Sequence, residues 1–261
     1  MNNNGNGSDS SSKNRISAVE RAFKIINVLR NEGPHTATDL SDHLDIPKST
    51  AYIYLRTLQD LGYVINEDGT YRLSLRFLEV GGNIRREMDI YNVARGEIDE
   101  LSHKTGEIGT IGYEENGQRV LLYISEPHDA VADNATTGEF TEMHWTAVGK
   151  ALLSQRSDDE IRAIVEESGL PKGTEQTITE IEELLQEIDT IRSQGYSLED
   201  EERTSGVRAL SIPIESGEQL KNIAISVAGP KHRFSDDRIQ DELLPELRNT
   251  ANVIELQYKH Y

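Results

Sequence analysis

The sequence predicts a multidomain protein, with a small, mostly helical winged helix-turn-helix near its N-terminal end and a larger α+β domain after it. Two observations support this fold class. Residues 38–71 place a short helix, a tight turn, a longer helix and a two-stranded wing in direct succession. After them, segments with helical spacing of apolar residues alternate with short apolar runs, which is typical of a sheet with helices packed against it.

The overall composition limits the class of protein. A chain of 261 residues with 36% hydrophobic residues can form two modest globular domains. Cysteine is absent, which excludes disulfides and thiolate chemistry and fits a cytoplasmic location. The chain has no apolar run long enough to cross a membrane, and its polar start is unlike a signal peptide, so we expect no membrane partner.

The charge is unevenly distributed along the chain. The net charge is −19, yet residues 13–78 carry 9 basic and 8 acidic residues and are close to neutral. Residues 79–261 carry 18 basic and 37 acidic residues. The helix-turn-helix therefore lacks the excess of acidic residues that would oppose binding to DNA. So acidic a surface predicts a halophilic, salt-adapted protein, although an ordinary acidic protein has the same signature.

The N-terminal region divides into a tail and a DNA-binding domain. Residues 1–14 are mostly Asn, Gly and Ser and are predicted to be a disordered tail. The winged helix-turn-helix domain is placed at residues 15–76. Its first helix is expected to take Ser17 as its N-cap and to stop at Gly33-Pro34.

The next elements complete the helix-turn-helix. A helix, a turn and a longer helix are predicted at residues 39–44, 45–47 and 48–61, with Gly62 as the stop. The wing is predicted as strands at 63–65 and 71–73, joined by a turn at Asp68-Gly69.

The longer helix has one apolar side and one side suited to DNA. Ala51, Leu55 and Leu58 share a face and should pack on the first helix. Hydroxyl and guanidinium groups on the other face suit phosphates and base edges. An alternative stays open for four of these positions. Thr50 can be only a helix cap and Tyr52 only a packing residue, and Arg56 can be a solvated surface charge and Arg72 an ordinary strand residue. The candidate DNA-binding residues are Lys48, Ser49, Thr50, Tyr52, Arg56 and Arg72.

The rest of the chain is read as a linker and an α+β domain. Residues 77–90 predict a linker helix, with an interruption at Gly81-Gly82 left open, and residues 91–261 form the second domain. Asn116-Gly117 between two apolar runs predicts a hairpin. Further helices are predicted at 146–155, 157–168, 179–193 and from 236 to near the end, and strands at 196–198, 209–214 and 222–228.

Four segments carry a family resemblance. Residues 46–51 read Ile-Pro-Lys-Ser-Thr-Ala and lead into the longer helix. Residues 146–153 read Thr-Ala-Val-Gly-Lys-Ala-Leu-Leu, and residues 223–230 read Ile-Ala-Ile-Ser-Val-Ala-Gly-Pro. Residues 195–207 begin Gly-Tyr-Ser and end Gly-Val, with a Glu-Glu pair between. In this order, from about residue 17 onward, they resemble the motifs of the IclR family of transcriptional regulators.

The resemblance implies a function and partners. Members of this family join a winged helix-turn-helix to a GAF-like domain that binds a small organic effector, and they form dimers or dimers of dimers. The expected protein is thus a regulator of catabolic or transport genes. Its expected partners are double-stranded operator DNA, a small organic effector and further copies of itself.

The resemblance also implies an effector pocket at the start of the helix that follows Thr146. The positive end of a helix suits an anion, whereas Glu199 would oppose one, and Ala228 replaces a serine found in some members. A sugar, polyol or hydroxy acid is therefore expected rather than a bare dicarboxylate. Simple packing is the alternative for Val207 and Ala209. The candidate effector-binding residues are Ala147, Val148, Glu199, Val207, Ala209, Ser226 and Ala228.

Two features depart from the family pattern. Ile53 stands where many members carry a basic residue, so a thymine methyl group is a more suitable target for it than a guanine. The wing tip, residues 66–69, carries two acidic side chains and should stay away from phosphates.

Other classes of function have little support. The seven histidines show no zinc-site spacing, and the chain has no Gly-x-Ser-x-Gly, phosphate loop or Gly-x-Gly-x-x-Gly motif. We therefore expect no enzyme activity, no metal and no cofactor. A ligand-independent DNA-binding protein, whose C-terminal domain serves only to oligomerise, remains the alternative.

Overall fold

A computed structural model describes residues 15–127, 135–215 and 222–261. The predicted tail at 1–14 lies outside the described residues. The chain divides into two compact units, one ending at Asn83 and the other beginning at Ile84. The first is mostly helical and the second is α+β, as the sequence predicts. Within the described ranges, every helix is too short or too polar to cross a lipid bilayer.

The N-terminal unit consists of three helices and a small sheet. The helices are α1 (Ser17–Glu32), α2 (Ala37–Leu44) and α3 (Lys48–Asp60). The strands are β1 (His35–Thr36), β2 (Val64–Glu67) and β3 (Thr70–Leu73), in the order β1-β3-β2. The predicted wing is present. The sequence gives no sign of β1, because a two-residue strand is too short to show an alternating pattern.

The ends of the first two helices depart slightly from expectation. Ser17 is the first residue inside α1 rather than its cap, and Ile16 at the cap position provides no side-chain hydrogen bond. At the start of α2, Thr36 and Asp39 form two reciprocal hydrogen bonds. The Thr36 hydroxyl accepts a bond from the Asp39 N–H, and the Asp39 carboxylate accepts one from the Thr36 N–H. Such a capping box stabilises a helix by about 1 kcal/mol.

A compact core holds the recognition helix in place. Leu55 of α3 is fully buried among Ile25 of α1, Leu40 of α2 and Tyr71 of β3. Burial of one such leucine contributes on the order of 1.5–3 kcal/mol. The buried face of α3 comprises Ala51, Leu55 and Leu58, as predicted.

The linker region contains two helices with a break between them. α4 (Arg76–Arg86) runs through Gly81-Gly82 without interruption, and α5 (Asp89–Thr105) follows. The break lies instead at Glu87-Met88, where Met88 has an extended backbone and serves as the cap of α5. A glycine within a helix costs about 1 kcal/mol, but it does not remove a hydrogen bond as proline does.

The C-terminal unit is built on a six-stranded antiparallel sheet. In their order across the sheet, the strands are β6 (Phe140–Thr141), β5 (Gln118–Ser125), β4 (Ile108–Glu115), β9 (Ile223–Pro230), β8 (Val207–Pro213) and β7 (Ser197–Asp200). As predicted, the Asn116-Gly117 turn joins β4 to β5. Both of its residues have positive φ, which Asn and Gly adopt readily.

Helices cover both faces of this sheet. α5 and the C-terminal α10 (Leu244–Tyr258) form one core with the sheet. A second core includes α6 (Ala147–Ser154), α7 (Asp158–Ser168) and α8 (Ile181–Gln194). The predicted last helix is divided into α9 (Asp236–Arg238), a π turn (Ile239–Leu243) and α10, which has a proline in its first turn.

The alternation of side chains along β9 sorts its residues between the two faces. Ile223, Ile225 and Val227 belong to the core with α5 and α10. The intervening positions therefore point toward α6, and they are small: Ala224, Ser226 and Ala228. Because these side chains are short, they leave space beneath the start of α6.

Candidate functional site

The outward face of α3 is the candidate DNA-binding surface. Tyr52 and Ile53 are 49% and 64% exposed, and Ser49 and Arg56 are also exposed. This face is opposite the buried side that contains Leu55. The structure therefore exposes Lys48, Ser49, Tyr52 and Arg56, whereas Thr50 is half-buried and lies on the far flank of the helix from Tyr52. Their contacts with DNA remain a prediction.

The start of α3 is open to a ligand. Pro47 occupies the N-cap position, and no side chain caps the helix, so the Thr50 hydroxyl does not act as a cap. The Pro47 carbonyl accepts the N–H groups of Thr50 and Ala51. The N–H groups of Lys48 and Ser49 lie in the part of a helix that has no intrahelical acceptor, and such groups readily bind phosphate.

The wing places its candidate residue in an ion pair. The Arg72 Nε and Nη2 atoms lie 2.9 and 2.5 Å from one Glu67 carboxylate oxygen. The hydrogen bonds from Arg72, together with its positive charge, lower the pKa of Glu67. The carboxylate competes with any phosphate for the guanidinium group, so contact between Arg72 and DNA requires the pair to open.

Replacement of Glu67 by glutamine is expected to tighten DNA binding. The change removes a negative charge from the wing and releases Arg72 toward the phosphates. The slope of log K against log salt concentration should become steeper by about 0.9, the value for one added phosphate contact. Fluorescence anisotropy across a salt series measures this slope.

Glu182→Gln is the matched control, because Glu182 forms a similar exposed pair with Arg162 in the other unit. An unchanged slope for Glu67→Gln would show that Arg72 makes no phosphate contact.

A small cavity in the C-terminal unit is the candidate effector site. It lies between the start of α6 and the sheet, opens to solvent, and has a volume of about 40 Å³. Six of the seven residues that the resemblance implies line it: Ala147, Val148, Glu199, Ala209, Ser226 and Ala228. Residues from four separate segments thus meet at one place. Their contact with an effector remains a prediction.

Val207 is the exception, since it is not among the cavity-lining residues. It lies on the same face of β8 as Ala209 but two residues nearer the start of the strand, where it pairs with Pro230. The motif identifies the strand correctly, but the cavity ends before this position.

Hydrogen bonds fix the polar groups around the cavity. The Thr146 hydroxyl caps α6 by accepting the Gly149 N–H at 2.9 Å. The buried Glu199 carboxylate accepts the Ala147 N–H at 3.2 Å and so occupies the positive end of α6. The Ser226 hydroxyl lies 2.7 Å from that of Thr110.

Two arginines at the cavity escape prediction from the sequence. Arg119 of β5 and Arg203, in the segment between β7 and β8, both line the cavity, and both contact Glu139. Burial lowers the pKa of Arg119 to about 10. The sequence signal is a single charged residue next to the apolar run of β5. Arg119 could have been assigned to the cavity only if the sequence had shown which face of β5 points toward α6. The next residue, Val120, packs into the core on the other face.

The described ranges contain no group of three or more metal-ligating side chains. A winged helix-turn-helix with an exposed recognition helix, joined to an α+β unit with a small cavity lined by polar groups, defines a class of DNA-binding regulators. Two family models match the chain. The IclR helix-turn-helix domain matches residues 18–67, and the bacterial transcriptional regulator IclR C-terminal domain matches residues 83–256. The chain belongs to the IclR family of transcriptional regulators.

Individual relatives agree with this assignment. The HTH-type transcriptional regulator KdgR of Escherichia coli is 31% identical, with 94% of each sequence covered. The crystal structure of a transcriptional regulator from a Rhodococcus species is 28% identical and has a TM-score of 0.80, with 93% of this chain and 98% of that chain covered. The family consists of transcriptional regulators, not enzymes.

A third comparison supports the fold alone. It is with an IclR homologue from Microbacterium hydrocarbonoxydans, complexed with 4-hydroxybenzoate, at 21% identity and a TM-score of 0.78. The alignment covers 94% of this chain and 99% of that chain. The predicted fold class is confirmed by these structures and by the family models.

Proposed function

We propose that the protein regulates catabolic or transport genes, and that a small organic metabolite bound at the cavity beneath α6 controls its affinity for operator DNA. The observation that carries the proposal is the convergence of six motif residues on one cavity in a chain that also presents an exposed recognition helix. A family member that holds 4-hydroxybenzoate lends support.

Control of this kind requires two states. An effector that binds one conformation of the C-terminal unit more tightly shifts the population toward it. In a dimer, the two recognition helices must match half-sites about 34–36 Å apart, or a multiple of this distance. A small change in their separation is then enough to change operator affinity.

The alternative is a C-terminal unit that only oligomerises. The polar groups around the cavity favour effector binding instead. Glu199 and Arg119 are both buried, and burial of charged groups is costly. A domain that serves only to join two copies gains nothing from buried charges that line a cavity.

DNA binding is tested by selection of random double-stranded DNA with the purified full-length chain. We expect a two-fold symmetric consensus. Arg56→Ala should weaken binding to that consensus about 10- to 100-fold, because one good arginine–base contact contributes about 1–3 kcal/mol. Arg162→Ala, an exposed change on α7, should leave the affinity unchanged. Failure to select any consensus would exclude sequence-specific binding.

Self-association is proposed from an apolar stripe on α1. Ile16, Val19 and Phe23 are exposed, and their spacing of three and four residues places them on one side of the helix. A second copy is the occupant that two-fold symmetric DNA sites require. We propose a homodimer or a dimer of dimers that works in the cytoplasm, where chromosomal DNA lies.

Salt adaptation is proposed from the charge of −19, most of which lies in the C-terminal unit. Two measurements in low and in molar KCl test these proposals. Light scattering tests self-association, and thermal unfolding tests salt adaptation. We expect an even-numbered assembly and a melting temperature that rises with salt. A monomer, or a melting temperature independent of KCl, would contradict the respective proposal.

A further inference from the structure

We propose that Ile53 recognises the C5-methyl group of a pyrimidine base in each operator half-site, so that 5-methylcytosine binds there as thymine does. This inference rests on the DNA binding in the proposed function, and it adds the chemical group that one side chain recognises. It depends on where an apolar side chain lies on α3.

Ile53 projects from the side of α3 that is opposite the core. A helix turns by 100° per residue, so Ile53 lies roughly 160° around the axis from each of the buried residues Ala51 and Leu55. The side chain is 64% exposed, more than any other apolar residue of this helix. When α3 lies in the major groove with its buried side on the core, Ile53 faces the base edges.

The charges along α3 favour contact between its first half and DNA. Lys48 is exposed at the start of the helix, where no side chain caps the N–H groups, and Asp60 is exposed at the end. Phosphates are attracted to the positive end of a helix and repelled by a carboxylate at the other end. Ile53 lies in the first half of α3, the part of a recognition helix that contacts base edges.

The side chain of isoleucine suits one group in the major groove. It neither donates nor accepts hydrogen bonds, so the nitrogen and oxygen atoms of the base edges offer it no favourable contact. The C5-methyl group of thymine is the apolar group exposed there. Cytosine carries a hydrogen at the same carbon, and 5-methylcytosine carries a methyl group. Ile53 therefore distinguishes a methylated from an unmethylated pyrimidine.

The neighbouring polar side chains leave this contact to Ile53. The Thr57 hydroxyl donates to the Ile53 carbonyl at 2.8 Å, so its proton is already used within the helix. Arg56 is exposed and has the geometry to read guanine. Three residues of helix rise about 4.5 Å and one base-pair step about 3.4 Å, so Ile53 and Arg56 should read positions within about two base pairs of each other.

The test uses the consensus selected with the full-length chain. Each thymine near the guanine whose preference Arg56→Ala abolishes is replaced, in both half-sites, by uracil, cytosine or 5-methylcytosine, with the matching base opposite. Thymine and uracil differ by one methyl group, as do 5-methylcytosine and cytosine. At one thymine, loss of the methyl group should weaken binding about 4-fold per half-site in both pairs, the value for burial of one such carbon. Fluorescence anisotropy measures these affinities.

Three variants assign the effect to the side chain. Ile53→Ala should bind the methylated and unmethylated member of each pair equally. Leu256→Ala, which shortens a 59% exposed apolar side chain of α10, should keep the difference. Ile53→Arg, selected again on random DNA, should prefer guanine at this position. Because Ile53 is exposed, neither of its substitutions disturbs the core of the N-terminal unit.

Four results would overturn the inference. They are a parent protein indifferent to every methyl group, a methyl effect confined to thymine, a methyl effect that persists in Ile53→Ala, and an unchanged consensus for Ile53→Arg. In each of these cases a consensus has been selected, so the proposed function stands. If no consensus is selected, the proposed function fails and the assignment of Ile53 fails with it.

Discussion

Lys150→Met is expected to lower the free energy of unfolding of the C-terminal unit by about 3–5 kcal/mol, the usual cost of removing one partner of a buried ion pair. Lys150 is 1% exposed, and its Nζ atom lies 2.5 Å from Glu202 and 3.3 Å from Glu187. These two ion pairs connect α6 to α8 through Glu187, and to the segment after β7 through Glu202. Denaturant unfolding followed by circular dichroism measures the loss.

The difference in stability between the parent protein and Lys150→Met should also depend on pH, because Glu202 is titratable. Burial raises the pKa of Glu202 above 4.5, and Lys150 acts against that rise. Without Lys150 the pKa rises further. A carboxyl group whose pKa is higher in the folded state stabilises the fold at low pH and loses this contribution as the pH rises through that value. The difference in stability between parent and variant should therefore narrow as the pH falls from neutrality toward about 4.5.

The matched control is the double variant Lys150→Met with Glu202→Gln. Because it leaves no uncompensated buried charge, it should recover much of the lost stability. A single variant as stable as the parent protein at neutral pH would show that the ion pair contributes nothing to the fold.

Gly149→Ala is expected to destabilise the C-terminal unit by more than about 3 kcal/mol. A Cβ atom at Gly149 would lie 2.6 Å from the carbonyl carbon of Met143, closer than real Cβ atoms approach other atoms. The obstacle is backbone, which cannot rotate away as a side chain can, so the start of α6 must move. Because Ala147 and Val148 line the cavity, effector binding should be lost as well.

Gly81→Ala is the control for this prediction. Gly81 lies within α4 with open space where its Cβ would be. The same substitution there should stabilise the helix by up to about 1 kcal/mol, since alanine is the better helix former. Comparable melting temperatures for the two variants would contradict the tight approach of α6 to Met143.

The predictions that succeeded rest on local patterns. The Asn116-Gly117 turn, the wing and the buried face of α3 each follow from residues within a few positions of one another. Such patterns record local hydrogen bonding and burial, so a single sequence carries them.

Features that depend on tertiary structure escaped prediction. Arg119 occupies the cavity because β5 lies beside β4 in the sheet, and nothing near Arg119 in the sequence specifies that face. The break at Glu87-Met88 was missed because the adjacent glycines of α4 are the more obvious candidates. Val207 was included because a motif marks a strand but does not mark where a cavity ends.

The central claim is that effector binding controls where this protein binds the genome. The most direct measurement is chromatin immunoprecipitation of the tagged protein from its own cells on several carbon sources, with the Arg56→Ala variant in parallel. The account predicts sharp peaks upstream of a few catabolic or transport genes that change with carbon source and disappear in the variant. Peaks that are identical on every carbon source, or equally strong in the variant, would contradict it.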